Sequence, residues 1–126
     1  MAVTTANVPN RLAETLIIDV DANATAEETV FSGTTLADKF YYVVLDNSAI
    51  NAATYLKAQD IAQYNTSNPP TWRFYAPANT KVTYLFPEGQ SFSTGISFIA
   101  TSTTDSTGTQ TDPSGGTVIV KILGGT

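Results

Sequence analysis

Short apolar runs of period two, parted by polar turns, cover most of this chain. Phe40 to Leu45 is an aromatic and β-branched block, and Asp46-Asn47-Ser48 ends it with side chains that bond locally to backbone. Beyond that stop, Ala53, Tyr55 and Lys57 alternate with Thr54, Leu56 and Ala58, so the two blocks read as strands joined by a turn. Upstream, Thr15 to Asp21 is a strand by its β-branched content, and a polar linker, with room for one helical turn, separates it from a short strand at Thr29-Val30-Phe31.

Downstream, Asn68-Pro69-Pro70 forbids helix and forces an extended path. Thr71 to Ala76 then alternates, with Trp72, Phe74 and Ala76 on one side and Arg73 and Tyr75 on the other. Pro77-Ala78-Asn79 is a turn, and Lys81 to Phe86 is expected to pair back as a hairpin with Val82, Tyr84 and Phe86 on one face. Pro87-Glu88-Gly89 should end that strand, since glycine accepts a positive φ at no steric cost. Ser91 to Ala100 resumes with Phe92, Thr94, Ile96, Phe98 and Ala100 on one side, and Gly95 suggests a bulge or a close backbone approach. Thr101 to Gly116, rich in Thr, Ser, Asp and Gly, reads as a long solvated loop. Thr117 to Leu123 is a closing strand and Gly124-Gly125-Thr126 a loose tail.

About eight short strands with turn signals roughly every ten residues, and no helical period, predict an all-β protein, an antiparallel β-sandwich of jelly-roll kind or an incomplete barrel. Residues 1–14 mix Thr, Asn and Pro with scattered apolar side chains and show no period. They read as an extended N-terminal arm, or equally as an edge strand interrupted by Pro9, ahead of a single domain at 15–126.

Composition narrows the chemistry. The 126 residues include no cysteine and no histidine, which removes disulfides, thiolate metal sites, a cysteine nucleophile and the usual general base near neutral pH. Eleven acids against six bases give a net charge of −5, which argues against nucleic acid as a partner. No run of about 18 apolar residues offers a membrane span, and Met1 to Asn7 lacks the features of a secretory signal, so synthesis without export is expected.

The candidate sites are few. Asp19, Asp21 and Asn23 imitate the start of a calcium loop, but Ala24 stands where the turn glycine belongs and Val30 where the closing acid belongs, so alternating acids on a strand face are the better reading. Asn23-Ala24-Thr25 and Asn65-Thr66-Ser67 match the glycosylation pattern by chance. Carboxylate pairs such as Asp46 with Asp60, or Asp19 with Asp21, are the one enzymatic scheme left, and strand-terminating roles outweigh it. No enzyme activity and no cofactor are expected. Among the aromatics, Trp72 reads as inward. Tyr64, Tyr75 and one of Tyr41 and Tyr42 are candidates for an exposed or subunit-covered surface, which makes Tyr41, Tyr42, Tyr64, Trp72 and Tyr75 the interface candidates.

Residues 41–100 also carry a resemblance. The Leu45-Asp46-Asn47 strand end, Tyr55-Leu56-Lys57 closed by Asp60, the Ala76-Pro77-Ala78 turn, and Tyr84-Leu85-Phe86-Pro87-Glu88-Gly89 followed by Phe92-Ser93-Thr94-Gly95-Ile96-Ser97 resemble the small β-sandwich virion proteins of tailed bacteriophages that decorate or cement the capsid. These are strand and turn residues, so the resemblance speaks more strongly for fold than for function. It implies a non-enzymatic structural protein, a homotrimer on the outside of a phage head that bridges subunits of the major capsid protein. The alternative from another class is a carbohydrate- or receptor-binding module of a tail appendage.

Overall fold

The computed structural model describes residues 15–24, 28–31 and 38–125. The expected arm over residues 1–14 and the helical turn in the 22–28 linker fall at least partly outside them. Eight strands are formed: β1 (Thr15–Ala22), β2 (Glu28–Val30), β3 (Lys39–Asn47), β4 (Thr54–Gln59), β5 (Trp72–Ala76), β6 (Thr80–Ser91), β7 (Ile96–Thr101) and β8 (Val118–Gly125). They build two antiparallel four-stranded sheets, in the orders β1-β8-β3-β6 and β2-β7-β4-β5, so the described residues are an all-β sandwich.

The core fills the space between the sheets. Val43 and Leu45 of β3, Val120 and Ile122 of β8, Leu56 and Ala58 of β4, Phe74 of β5 and Phe98 of β7 all point into it. Phe40 sits at its centre. Its ring meets Trp72 edge-on at 5.1 Å and Phe86 at 5.2 Å, and stacks with Phe92 at 6.4 Å, so aromatics from both sheets interdigitate.

Period-two counting alone does not put Phe40 inside, because strict alternation would group Tyr41 with Val43 and Leu45. A bulge decides it. Phe40 pairs with Gly124 and Tyr42 with the adjacent Leu123, so Tyr41 is the extra residue of a bulge in β3 against β8 and the faces reverse at that point. On the other side of β3 the same residue faces a wider excursion. Phe40 pairs with Gln90 and Tyr42 with Leu85, so Phe86 to Gly89 loop out opposite Tyr41 alone. Pro87-Glu88-Gly89 is therefore a bulge within β6, not its end. Gly89 (φ 82°) takes the left-handed conformation there, and a Cβ on it would press on Lys39 and Tyr41.

Other pairings also differ from those expected. The blocks at 40–45 and 53–58 do not pair. β3 and β4 lie in opposite sheets, and the 48–53 segment is a corner between them. Likewise β5 and β6 are not a hairpin but sit in different sheets. In both cases the intervening turn carries the chain across the core, which alternation cannot foresee because either route leaves the same residues inside. Gly95 lies in the β6–β7 corner instead of within a strand, and Gly124 and Gly125 belong to β8 instead of a tail. Gly124 is where the Phe31 ring packs onto the sheet, leaving no space for a Cβ.

Candidate functional site

The sandwich has two outer faces, and they are built differently. On the second sheet that face is formed by Tyr55, Lys57 and Gln59 of β4, Arg73 and Tyr75 of β5, and Ser97, Ile99 and Thr101 of β7. Most of it is covered by the chain's own loops. Lys57 is fully buried, its ammonium donating to the Asp105 carbonyl and, at 2.7 Å, to Gln110 Oε1. Gln110 Nε2 in turn donates to the Asp105 and Gly108 carbonyls. Thr101 Oγ1 donates to Thr111 O, and Asp112 Oδ1 accepts from Ala24 N at 2.8 Å. The 102–117 segment is the expected loop, exposed along most of its length, and it is also pinned to the sheet through Asp105, Gln110 and Thr111. Its backbone carbonyls are what a buried lysine needs in place of water. Burial pushes the Lys57 pKa down, the Arg73 charge adds to this, and Asp105 opposes it.

A second loop is held in the same way. Gln59 Nε2 donates to the carbonyls of Asn65, Asn68 and Pro69 while its Oε1 accepts from Asn65 N. Asn47 holds the corners from within, donating to Ala52 O and Pro77 O and accepting from Thr54 Oγ1. Of these polar anchors only Asn47 was marked in the sequence, as a turn residue that bonds locally to backbone. For the others the available signal is a lone Lys or Gln at a strand position, which reads equally well as a solvent-facing residue.

The outer face of the first sheet is bare by comparison. Register places Leu16, Leu123, Tyr42 and Leu85 in one row across all four strands, and Ile18, Lys121, Val44 and Thr83 in the next. Leu16 is 44% exposed, Ile18 52%, Val20 65% and Leu85 69%. Lys121 and the Asp46–Lys81 cross-strand pair carry charge on this face. Leu85 also borders a shallow, open depression that continues along the bulge through Phe86, Pro87, Glu88 and Gly89. A contiguous apolar row of this kind is what an interaction surface presents.

The five aromatic candidates separate. Tyr42 lies in the bare face and Tyr41 in the bulge beside Gly89, both half-buried. Trp72 packs half-buried against Phe40. Tyr64, at 3% exposure, is buried, with its phenol pushed up to about 12, so it offers no surface ring and its place among exposed candidates is corrected. Tyr75 is 44% exposed, 5.5 Å from the Tyr55 ring, whose face is covered by the Arg73 guanidinium at 4.7 Å.

The carboxylates hold loops. Asp46 accepts from Ser48 N and Ser48 Oγ. Asp60, at the end of β4, accepts from the backbone N–H groups of Ser93, Thr94 and Gly95 and from Ser93 Oγ, closing the β6–β7 corner. The two acids belong to different sheets. Asp19 Oδ1 accepts from Asp21 N, and Asn23 Nδ2 donates to Asp21 O. Among the described residues no group of three or more acids lies together as a metal site would require. Compared with protein-family models, curated proteins and solved structures, the chain gives no match to any.

Proposed function

We propose that this chain is a non-enzymatic virion structural protein of jelly-roll fold, a capsid decoration protein that trimerises on the outside of a phage head and stabilises contacts between capsid subunits. Strand orders β1-β8-β3-β6 and β2-β7-β4-β5, with all but one connection crossing between sheets, support the jelly-roll reading. That double-sheet fold recurs in viral capsid and lectin domains. The observation that carries the function is the contrast between the two outer faces. One sheet is covered by the chain's own pinned loops, and the other presents Leu16, Ile18, Val20 and Leu85 uncovered. A protein meant to be wrapped by others leaves such a face, and repeated modest contacts by an oligomer sum to tight attachment.

Co-sedimentation with mature capsids stripped of this chain tests it. Saturable binding at a fixed ratio to the major capsid protein, together with heat stabilisation of the shell, is the expected result; no binding, or absence of the chain from intact particles, rejects it. The Tyr55–Tyr75 pair beside Arg73 favours a second reading, a carbohydrate- or receptor-binding module. A glycan array on wild type and Tyr75→Ala separates the two, since only the module loses sugar binding with that ring.

A further inference from the structure

Each sandwich sheet ends in two edge strands whose unpaired N–H and C=O groups could template another chain, and folded proteins normally blunt such edges. Three of the four edges here are blunted. β2 is only three residues long. β1 is interrupted by a register shift between Asp19 and Ala22, where Asp19 Oδ1 turns back onto Asp21 N. β5 is plugged at its middle by Tyr84, whose hydroxyl accepts from Tyr75 N at 3.1 Å and donates to Tyr75 O at 2.6 Å.

β6 is the exception. It is the longest strand, and its Thr80–Leu85 stretch pairs with β3 in unbroken register while no described strand pairs with its other side. Its Leu85 is the most exposed large apolar residue described and ends the row that begins at Leu16 on the opposite edge. A strand added beside β6 would continue that row. The added strand should be extended, β-branched and uncharged, because the Thr80–Phe86 edge carries a single charge, Lys81.

The chain itself contains such a segment. Ala2-Val3-Thr4-Thr5-Ala6-Asn7-Val8 has no charged side chain and four β-branched residues, and it lies within the 14 residues that precede β1. β1 and β6 are the two opposite edges of the same sheet. We infer that residues 2–8 of one copy add as a strand to the β6 edge of the next copy, joining the protomers of the oligomer head to tail. This rests on the oligomeric part of the function proposed above. Donor and acceptor on opposite edges, passed head to tail, make a heterologous contact, which forms a ring such as a trimer where the rotation between copies closes, whereas β6 pairing with β6 would be two-fold and stop at a dimer. With residues 2–8 in the added strand, residues 9–14 remain as the linker and span about 20 Å when extended, against about 14 Å for the three strand spacings of the sheet.

The absence of cysteine makes the test clean. Ala6→Cys and Thr83→Cys are made singly and together, and exposed to a flexible bismaleimide that tolerates small differences of register. Mixed single variants should give a cross-linked heterodimer, and the double variant a ladder ending at a closed trimer. Light scattering on a chain lacking residues 1–14 should show the mass falling about threefold to a monomer of unchanged circular dichroism and unfolding midpoint. Cross-links confined within one chain would overturn the inference, as would an oligomer that survives the truncation. A truncated chain that stays trimeric and still saturates capsids would sink the strand exchange and leave the decoration reading standing. Trimers that ignore capsids would do the reverse.

Discussion

Asp60 and Tyr64 link this fold to pH from opposite ends of the scale. Burial raises the Asp60 pKa, but the N–H groups of Ser93, Thr94 and Gly95 and the Ser93 hydroxyl outweigh it, so the folded value lies below the ordinary 3.8. Stability from this carboxylate is therefore complete above about pH 4 and is lost as pH falls through the folded value. Asp60→Asn should cost about 1–3 kcal/mol in urea unfolding at pH 7 and progressively less as pH falls through the folded value, which denaturation curves across the acid range measure. Tyr64 works in the other sense. Its phenol is raised from 10.0 to about 12 by burial, so its contribution is intact below pH 10 and disappears as pH rises towards 12. Tyr64→Phe should leave stability at pH 7 within about 1 kcal/mol of wild type and make the midpoint less sensitive to alkali, as followed by thermal melts across that range.

Among the elements, β5 and β6 show how an edge is closed without a strand. They belong to different sheets, yet Tyr84 from β6 reaches across and occupies both the N–H and the C=O of Tyr75. Its ring lies 5.0 Å from Phe74, so one side chain supplies packing and hydrogen bonds together. Tyr84→Phe keeps the ring and removes only the plug. Amide exchange at Tyr75 should then quicken by more than exchange at Leu56, in the central β4, which should follow only the global stability loss of about 1–2 kcal/mol, about five- to thirtyfold. The strands themselves were largely legible beforehand: Phe40 to Leu45, Trp72 to Ala76 and Val118 to Leu123 are β-branched or aromatic runs, and local composition suffices for such runs. The bulge at Tyr41 was not. It follows from where Gly124, Phe31 and the Pro87 excursion meet, residues far apart in the chain.

At the scale of the whole molecule, the two sheets face their surroundings unequally, and Lys57 is the pivot of that asymmetry. It draws the 102–117 segment onto the second sheet through the Asp105 carbonyl and Gln110. Lys57→Ala leaves Gln110 Oε1 without the lysine donor and the Asp105 carbonyl with Gln110 Nε2, over a cavity, and should cost about 2–4 kcal/mol. Limited digestion with proteinase K should spare the segment in wild type and cut it in the variant. If both are cut alike, the lysine does not hold the loop.

That asymmetry also marks the boundary between what the amino-acid order settles and what folding adds. Residue type and period, acting over a few neighbours, determine that the chain makes strands and which side chains of Thr54 to Gln59 or Thr71 to Ala76 point inward. Only the assembled sandwich decides that β3 lies beside β8 and β6 instead of β4, since backbone ladders accept any strand and the choice rests on long-range packing. It alone decides that Lys57, Gln59 and Tyr64 are buried while Leu16, Ile18 and Leu85 are not. A polar side chain is buried when distant carbonyls replace its water, and an apolar one stays exposed where none of the described residues returns to cover it.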